Sequence, residues 1–162
     1  MRCVLAIIGL LLTTSATLAG EASAAPLPAV MAAMACRDFR MRPVRTVEIP
    51  DLGDAGRAEF VAGAPVIMLD PALMARLPAS LQVFFKLHEC AHHVLGHLFA
   101  PTGRSEKEAD CWAIREGRKR DVVTKDDVIA WKPHFAASRG STFGHLPGPQ
   151  RIEFLLGCFE DE

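Results

Sequence analysis

Leu87-His88-Glu89-Cys90-Ala91-His92-His93 lies inside an apolar run with helical spacing, and its reading decides how the rest of the chain is organised. On a helix His88 and His92 stand one turn apart on the same face, so their imidazoles can converge on one small cation. Glu89, next to the first histidine, can reach a water held by that cation. The H-E-x-x-H pattern thus combines two metal ligands with a base. Cys90 lies about 180° round the helix from the midpoint of the two histidines and faces whatever packs behind.

The elements around this helix divide into strands first and helices later, which predicts an α+β domain with a small antiparallel sheet of about three strands packed against a metal-binding helix pair and further helices. Leu27 to Phe39 has helical spacing. Val44 to Ile49, Ala58 to Ala62 and Pro65 to Leu69 read as strands separated by turns at residues 51–56 and at Gly63. Asp70-Pro71 is a helix start, with an N-cap acid and a proline at the first helical position. Pro78-Ala79-Ser80 launches the motif helix, which should run to about Phe99 before Pro101-Thr102-Gly103 breaks it. Ser105 with Glu108 spells a capping box for a helix to about Arg118, and Thr124 with Asp127 spells a second. A loop at residues 138–144 precedes a last helix over Pro149 to Phe159. Trp112 and Trp131 read as core or rim packing.

The chain begins Met1-Arg2, continues with an apolar run from Cys3 to Leu12, and reaches Ala22-Ser23-Ala24. A short positive start, an apolar core too short to span a bilayer and an A-x-A site predict a cleavable signal peptide over residues 1–24, with Ala19 as the alternative cut. Residues 25–162 then form one domain, exported to a periplasm or to the extracellular space. Cys36, Cys90, Cys111 and Cys158 remain, an even number that suggests two disulfides in an oxidising compartment. Three pairings are possible, and the outward face of Cys90 favours a partner near one terminus. The formal net charge is −1, which speaks against a nucleic-acid partner. The basic cluster from Arg115 to Arg120 reads as a solvated helix end. No later stretch is apolar enough to hold the chain in a membrane.

A catalytic zinc needs three protein ligands and one open position. His88 and His92 give two. A third histidine at the spacing H-E-x-x-H-x-x-G-x-x-H is not available, because Gly96 and His97 are each out of register. On a continuing helix His97 would also point about 160° from the His88–His92 face, where it pairs with His93 as an ordinary surface or hydrogen-bonded histidine. The next helix offers Glu106 and Asp110, four apart on one face. Glu106 is the expected third ligand, ahead of Glu108, which faces elsewhere and has a capping role. Asp110 is placed to accept from the free ring N–H of a zinc histidine and fix its tautomer.

Together, His88-Glu89-x-x-His92 and Glu106-x-x-x-Asp110 resemble the gluzincin metallopeptidases. The Ala109-Asp110 form of the second motif is similar to the CAAX-prenyl-protease branch and its small soluble relatives, the minigluzincins. His145-Leu146-Pro147-Gly148-Pro149-Gln150-Arg151-Ile152 is similar to the His-Pro…Arg-Ile segment of that branch, with Leu146 inserted between histidine and proline. The resemblance covers roughly Pro65 to Cys158. It implies a zincin-like fold, one Zn2+ ion and endopeptidase activity on a peptide or protein substrate, with Glu89 as general base. It implies an edge strand, here Pro65 to Leu69, along which extended substrate pairs. The oxyanion needs a donor besides the metal, and His145 or Arg151 is the candidate. Rival readings are a zinc-binding regulatory protein without turnover, against which Glu89 argues as a base such a protein does not need, and a closed structural zinc site, for which no fourth ligand presents itself on the metal face, though Cys111 is close in sequence.

Overall fold

The computed structural model describes residue 31, residues 34–142 and residues 144–159. The signal segment and residues 27–30, 32 and 33 of the helix expected from Leu27 to Phe39 lie outside these residues. The architecture is α+β, with four strands followed by six helices among the described residues: β1 Cys36–Arg37, β2 Pro43–Glu48, β3 Gly56–Val61, β4 Ala64–Leu69, α1 Pro71–Met74, α2 Ala79–Val94, α3 Ser105–Lys119, α4 Lys125–Ala130, α5 Lys132–Phe135 and α6 Gly148–Gly157.

The sheet differs from the expected three-stranded antiparallel one. Its order is β1-β2-β4-β3. β1 with β2 and β3 with β4 are antiparallel, but β2 runs parallel to β4 from Arg45 opposite Val66 to Glu48 opposite Leu69. Hydrophobicity explains the order. Pro65-Val66-Ile67-Met68-Leu69 is a continuous apolar run, which suits a strand buried between neighbours, and Val66 and Ile67 are almost fully buried. The β3 strand carries Arg57 and Glu59, charges that belong at an edge. Pro65 to Leu69 is therefore an interior strand, and β3 is the edge. Ala62 and Gly63, with φ of 49° and 79°, make the two-residue turn that joins them. Cys36 and Arg37, expected at the end of a helix, instead pair with β2.

The motif helix α2 is packed on both sides. Cys90, Ile67, Leu69 and Met74 form a core between it and the sheet. Leu81, Phe84 and Leu87 join Ala113 and Ile114 of α3, Val128 of α4, Trp131, and Ile152 and Leu155 of α6 in the main core. Trp131 is fully buried and donates its indole N–H to Ser80 Oγ at 3.1 Å. Disulfides join Cys36 to Cys90 and Cys111 to Cys158. The first ties β1 to the back of α2; the second ties α3 to the residue that ends α6. Among the described residues no helix is long and apolar enough to cross a membrane.

Helix starts follow local chemistry in two cases. Asp70 accepts from the backbone N–H groups of Ala72 and Leu73, and Thr124 and Asp127 form a reciprocal capping box. The box expected at Ser105 and Glu108 does not form. Arg104 is the N-cap, and the Ser105 hydroxyl accepts from Thr102 N–H at 2.8 Å, closing the preceding turn.

Candidate metal centre

Burial of α2 between sheet and helices forces its polar side chains to find partners. His88 and Glu89 are 2% and 8% exposed. His88 Nε2 and His92 Nε2 approach to 3.2 Å. Glu106, in the first turn of α3, brings Oε2 to 3.1 Å from His88 Nε2 and 3.6 Å from His92 Nε2. Four ligands at zinc-like bond lengths in a tetrahedron stand about 3.3 Å from one another. The observed spacings match that figure, so His88, His92 and Glu106 form a group that can hold a metal ion. The donor set of two imidazoles and one carboxylate leaves room for a further, non-protein ligand.

Asp110, one turn along α3 from Glu106, lies behind His88. Its Oδ1 stands 2.8 Å from His88 Nδ1, a close contact bent away from ideal hydrogen-bond angles. Arg151 of α6 grips the same carboxylate with two donors, Nε to Oδ2 at 2.9 Å and an Nη to Oδ1 at 2.6 Å. Its guanidinium also lies over the rings of Phe84 and Phe135. These contacts make Arg151 a brace for Asp110, at the wall of the cleft that holds Glu89. Burial raises the Asp110 carboxyl, but the Arg151 charge and the His88 contact outweigh it and hold it low. Burial alone would lower His88, but its bonds to Asp110 and Glu106 raise it to about 9. In the metal-free protein the ring is therefore an imidazolium held between two carboxylates. The proton on Nε2 is the one a metal would displace. For Glu106, burial pushes up and the bonds with His145, His88 and His92 together pull further down.

Glu89 lines the same cleft without being one of the three converging ligands. Burial raises its carboxyl, and nearby His88 and His92 pull partly against it. Gly56 of β3 lies directly against it: a Cβ there would stand 3.0 Å from Glu89 Cγ. Gly56, Glu89, His88, His92 and Glu106 share a cleft of about 920 Å³.

His145 reaches the centre from the loop before α6. Its Nε2 lies 2.6 Å from Glu106 Oε2, and its Nδ1 lies 2.8 Å from Ser141 Oγ. The Ser141 N–H donates to the His145 carbonyl, and Gly140, at φ 77°, lets the chain pass so close that any Cβ there would meet that carbonyl at 2.5 Å.

His93 and His97 part company. His93 Nε2–H donates to the Val66 carbonyl at 3.0 Å, beneath the sheet. His97 turns the opposite way, towards His92, with Nδ1 to Nδ1 at 3.2 Å, and its Nε2 meets Glu108 Oε2 at 3.1 Å. The helix ends earlier than its apolar pattern suggests. Gly96 takes φ 74°, and His97 N–H donates to the His92 carbonyl at 3.0 Å, a Schellman turn that folds His97 back over His92. Gly96, a glycine just past the last helical turn, was the available signal. No protein-family model, curated protein or solved structure matches this chain.

Proposed function

We propose that this chain is an exported zinc endopeptidase of the gluzincin type, with a zincin-like arrangement of sheet and helix pair. The observation that carries the reading is Glu89: a buried carboxylate with a raised proton affinity, in the same cleft as three converging ligand atoms yet not one of them. A structural metal site has no use for such a group.

Zinc held by His88, His92 and Glu106 would supply Lewis-acid polarisation of a peptide carbonyl and of water. Glu89 accepts the proton of the attacking water at its carboxylate and returns it to the leaving amine; its raised proton affinity brings it nearer the working pH of a general base. His145 Nε2, which lies against Glu106 Oε2, would have to turn from that carboxylate to donate its hydrogen to the developing oxyanion. Asp110, braced by Arg151, keeps the His88 ring aimed.

The β3 edge suits an extended peptide. Ala55 accepts from Asp70 N–H, and the two-residue turn closes on Val61 and Ala64. With pairing alternating between these ends, Gly56, Ala58 and Phe60 direct their N–H and C=O groups to the open side. Gly56 and Ala58 also line the cleft. A substrate strand added there gains affinity with little demand on its sequence. The two disulfides and the N-terminal apolar segment with its A-x-A site support the exported location.

The test is cleavage of unfolded casein. Activity should vanish with a chelator and return with zinc. Glu89→Gln should keep zinc and lose activity by roughly 10²- to 10⁴-fold. Equal turnover by Glu89→Gln and the wild type would overturn the peptidase reading.

A further inference from the structure

We infer that His97 and Glu108 form a hydrogen-bonded relay that orients His92, so that each metal histidine has its own supporting arm. The inference rests on the zinc reading above.

Valence fixes the direction of the relay. A neutral imidazole has one N–H, and a ring that binds metal through Nε2 carries that hydrogen on Nδ1. His92 Nε2 faces Glu106 and His88, so its Nδ1–H points at His97 Nδ1, 3.2 Å away. His97 Nδ1 must then accept, which puts the His97 hydrogen on Nε2. That atom faces Glu108 Oε2 at 3.1 Å, a carboxylate that can only accept. One assignment of hydrogens satisfies every contact from metal ligand to carboxylate.

The two arms differ in chemistry. His88 meets a carboxylate directly, and that carboxylate is almost fully buried. His92 meets a neutral ring, and the carboxylate comes one residue later, with its side chain 44% exposed. His97 itself is buried, which holds its ring in place. The second arm therefore fixes the tautomer and angle of His92 without adding a second negative charge against the metal group. His97 and Glu108 are positioning residues.

Zinc affinity, measured by competition with a chromophoric chelator, tests the relay without reference to turnover. The wild type should bind one zinc ion. His97→Leu should weaken binding by roughly 10- to 100-fold, the usual effect of losing such a support. His97→Asn should recover most of the loss, because the amide oxygen can stand where Nδ1 stood. Glu108→Ala, at a partly exposed side chain, should fold normally and weaken binding in the same direction, and it carries the test if His97→Leu does not fold. In the zinc form, nitrogen NMR should find His97 neutral with its hydrogen on Nε2. A wild type that binds no zinc overturns the metal centre and the relay with it. A wild type that binds zinc while His97→Leu, or Glu108→Ala if His97→Leu does not fold, binds as tightly overturns the relay alone. So does a His97 ring with its hydrogen on Nδ1.

Discussion

Asp110→Ala separates what the buried carboxylate does for the fold from what it does for the metal. Asp110 is 2% exposed and Arg151 7%. Truncating the acid leaves the guanidinium buried with two donors unpaired, offset in part by its contacts with the Phe84 and Phe135 rings. Breaking a buried pair in this way costs about 3–5 kcal/mol. At roughly 3–4 °C per kcal/mol for a domain of this size, the melting temperature should fall by about 10–20 °C. The scan belongs in excess chelator, because bound metal stabilises by mass action and would mask the difference. Asp110→Leu combined with Arg151→Met should regain most of the stability, since apolar residues can replace a buried pair at little cost. Zinc affinity should not return with it. His88 Nδ1 would still lack its acceptor, and binding should stay about 10- to 100-fold weaker than in the wild type. A metal-free Asp110→Ala protein melting within about 3 °C of the wild type would refute the account of the pair. A double variant with full zinc affinity would refute the orienting role.

Gly56→Ala should lower casein turnover by about tenfold at unchanged zinc content, since the new methyl forces the Glu89 side chain or the strand to move by a few tenths of an ångström and catalytic geometry is steep in distance; unchanged turnover would mean that Glu89 tolerates the shift. In the metal-free protein His88 is raised from 6.5 to about 9. A raised folded-state value means that its contribution to stability is complete below about pH 6.5 and lost as pH rises through about 9. Melting scans in chelator should show that loss in the wild type and much less of it in Asp110→Asn. Zinc must expel the same proton, so zinc affinity should climb about tenfold per pH unit up to about pH 9 and then level.

The fold was legible wherever local pattern and final environment agree. The Asp70-Pro71 start and the Thr124–Asp127 capping box are written in a few adjacent residues and appear as such. Sheet order is not of that kind, because it depends on pairing between distant segments. Even so, the unbroken apolar run of β4, which lacks the alternation of a half-exposed edge strand, marks it as central. β1 is two residues long and has no local signature. Cys36 is held to the back of α2 by its disulfide, and Asp38 fixes the following turn by accepting from the backbone N–H groups of Arg40 and Arg42.

The metal group shows the same division more sharply. His88, His92, Glu106 and Asp110 follow from helical spacing within two regular elements, and the structure brings them together. His97 does not follow from helical spacing, because the helix ends at Val94 and the left-handed Gly96 turns the chain back before it. Glu108 does not follow either. Its spacing from Ser105 spells a capping box, but the Ser105 hydroxyl is taken by Thr102 N–H and the Glu108 carboxylate by His97. Both departures occur at the two ends of the connection between α2 and α3. Left-handed backbone at Gly96 and the turn at Thr102 bring a residue just past one helix against a residue just inside the next. A local rule holds only until a better partner arrives from elsewhere in the chain, and buried polar groups at a metal centre are the groups most in need of such partners. The second arm of the site was hidden from the sequence for that reason: each of its members had a plausible local role, and neither plays it.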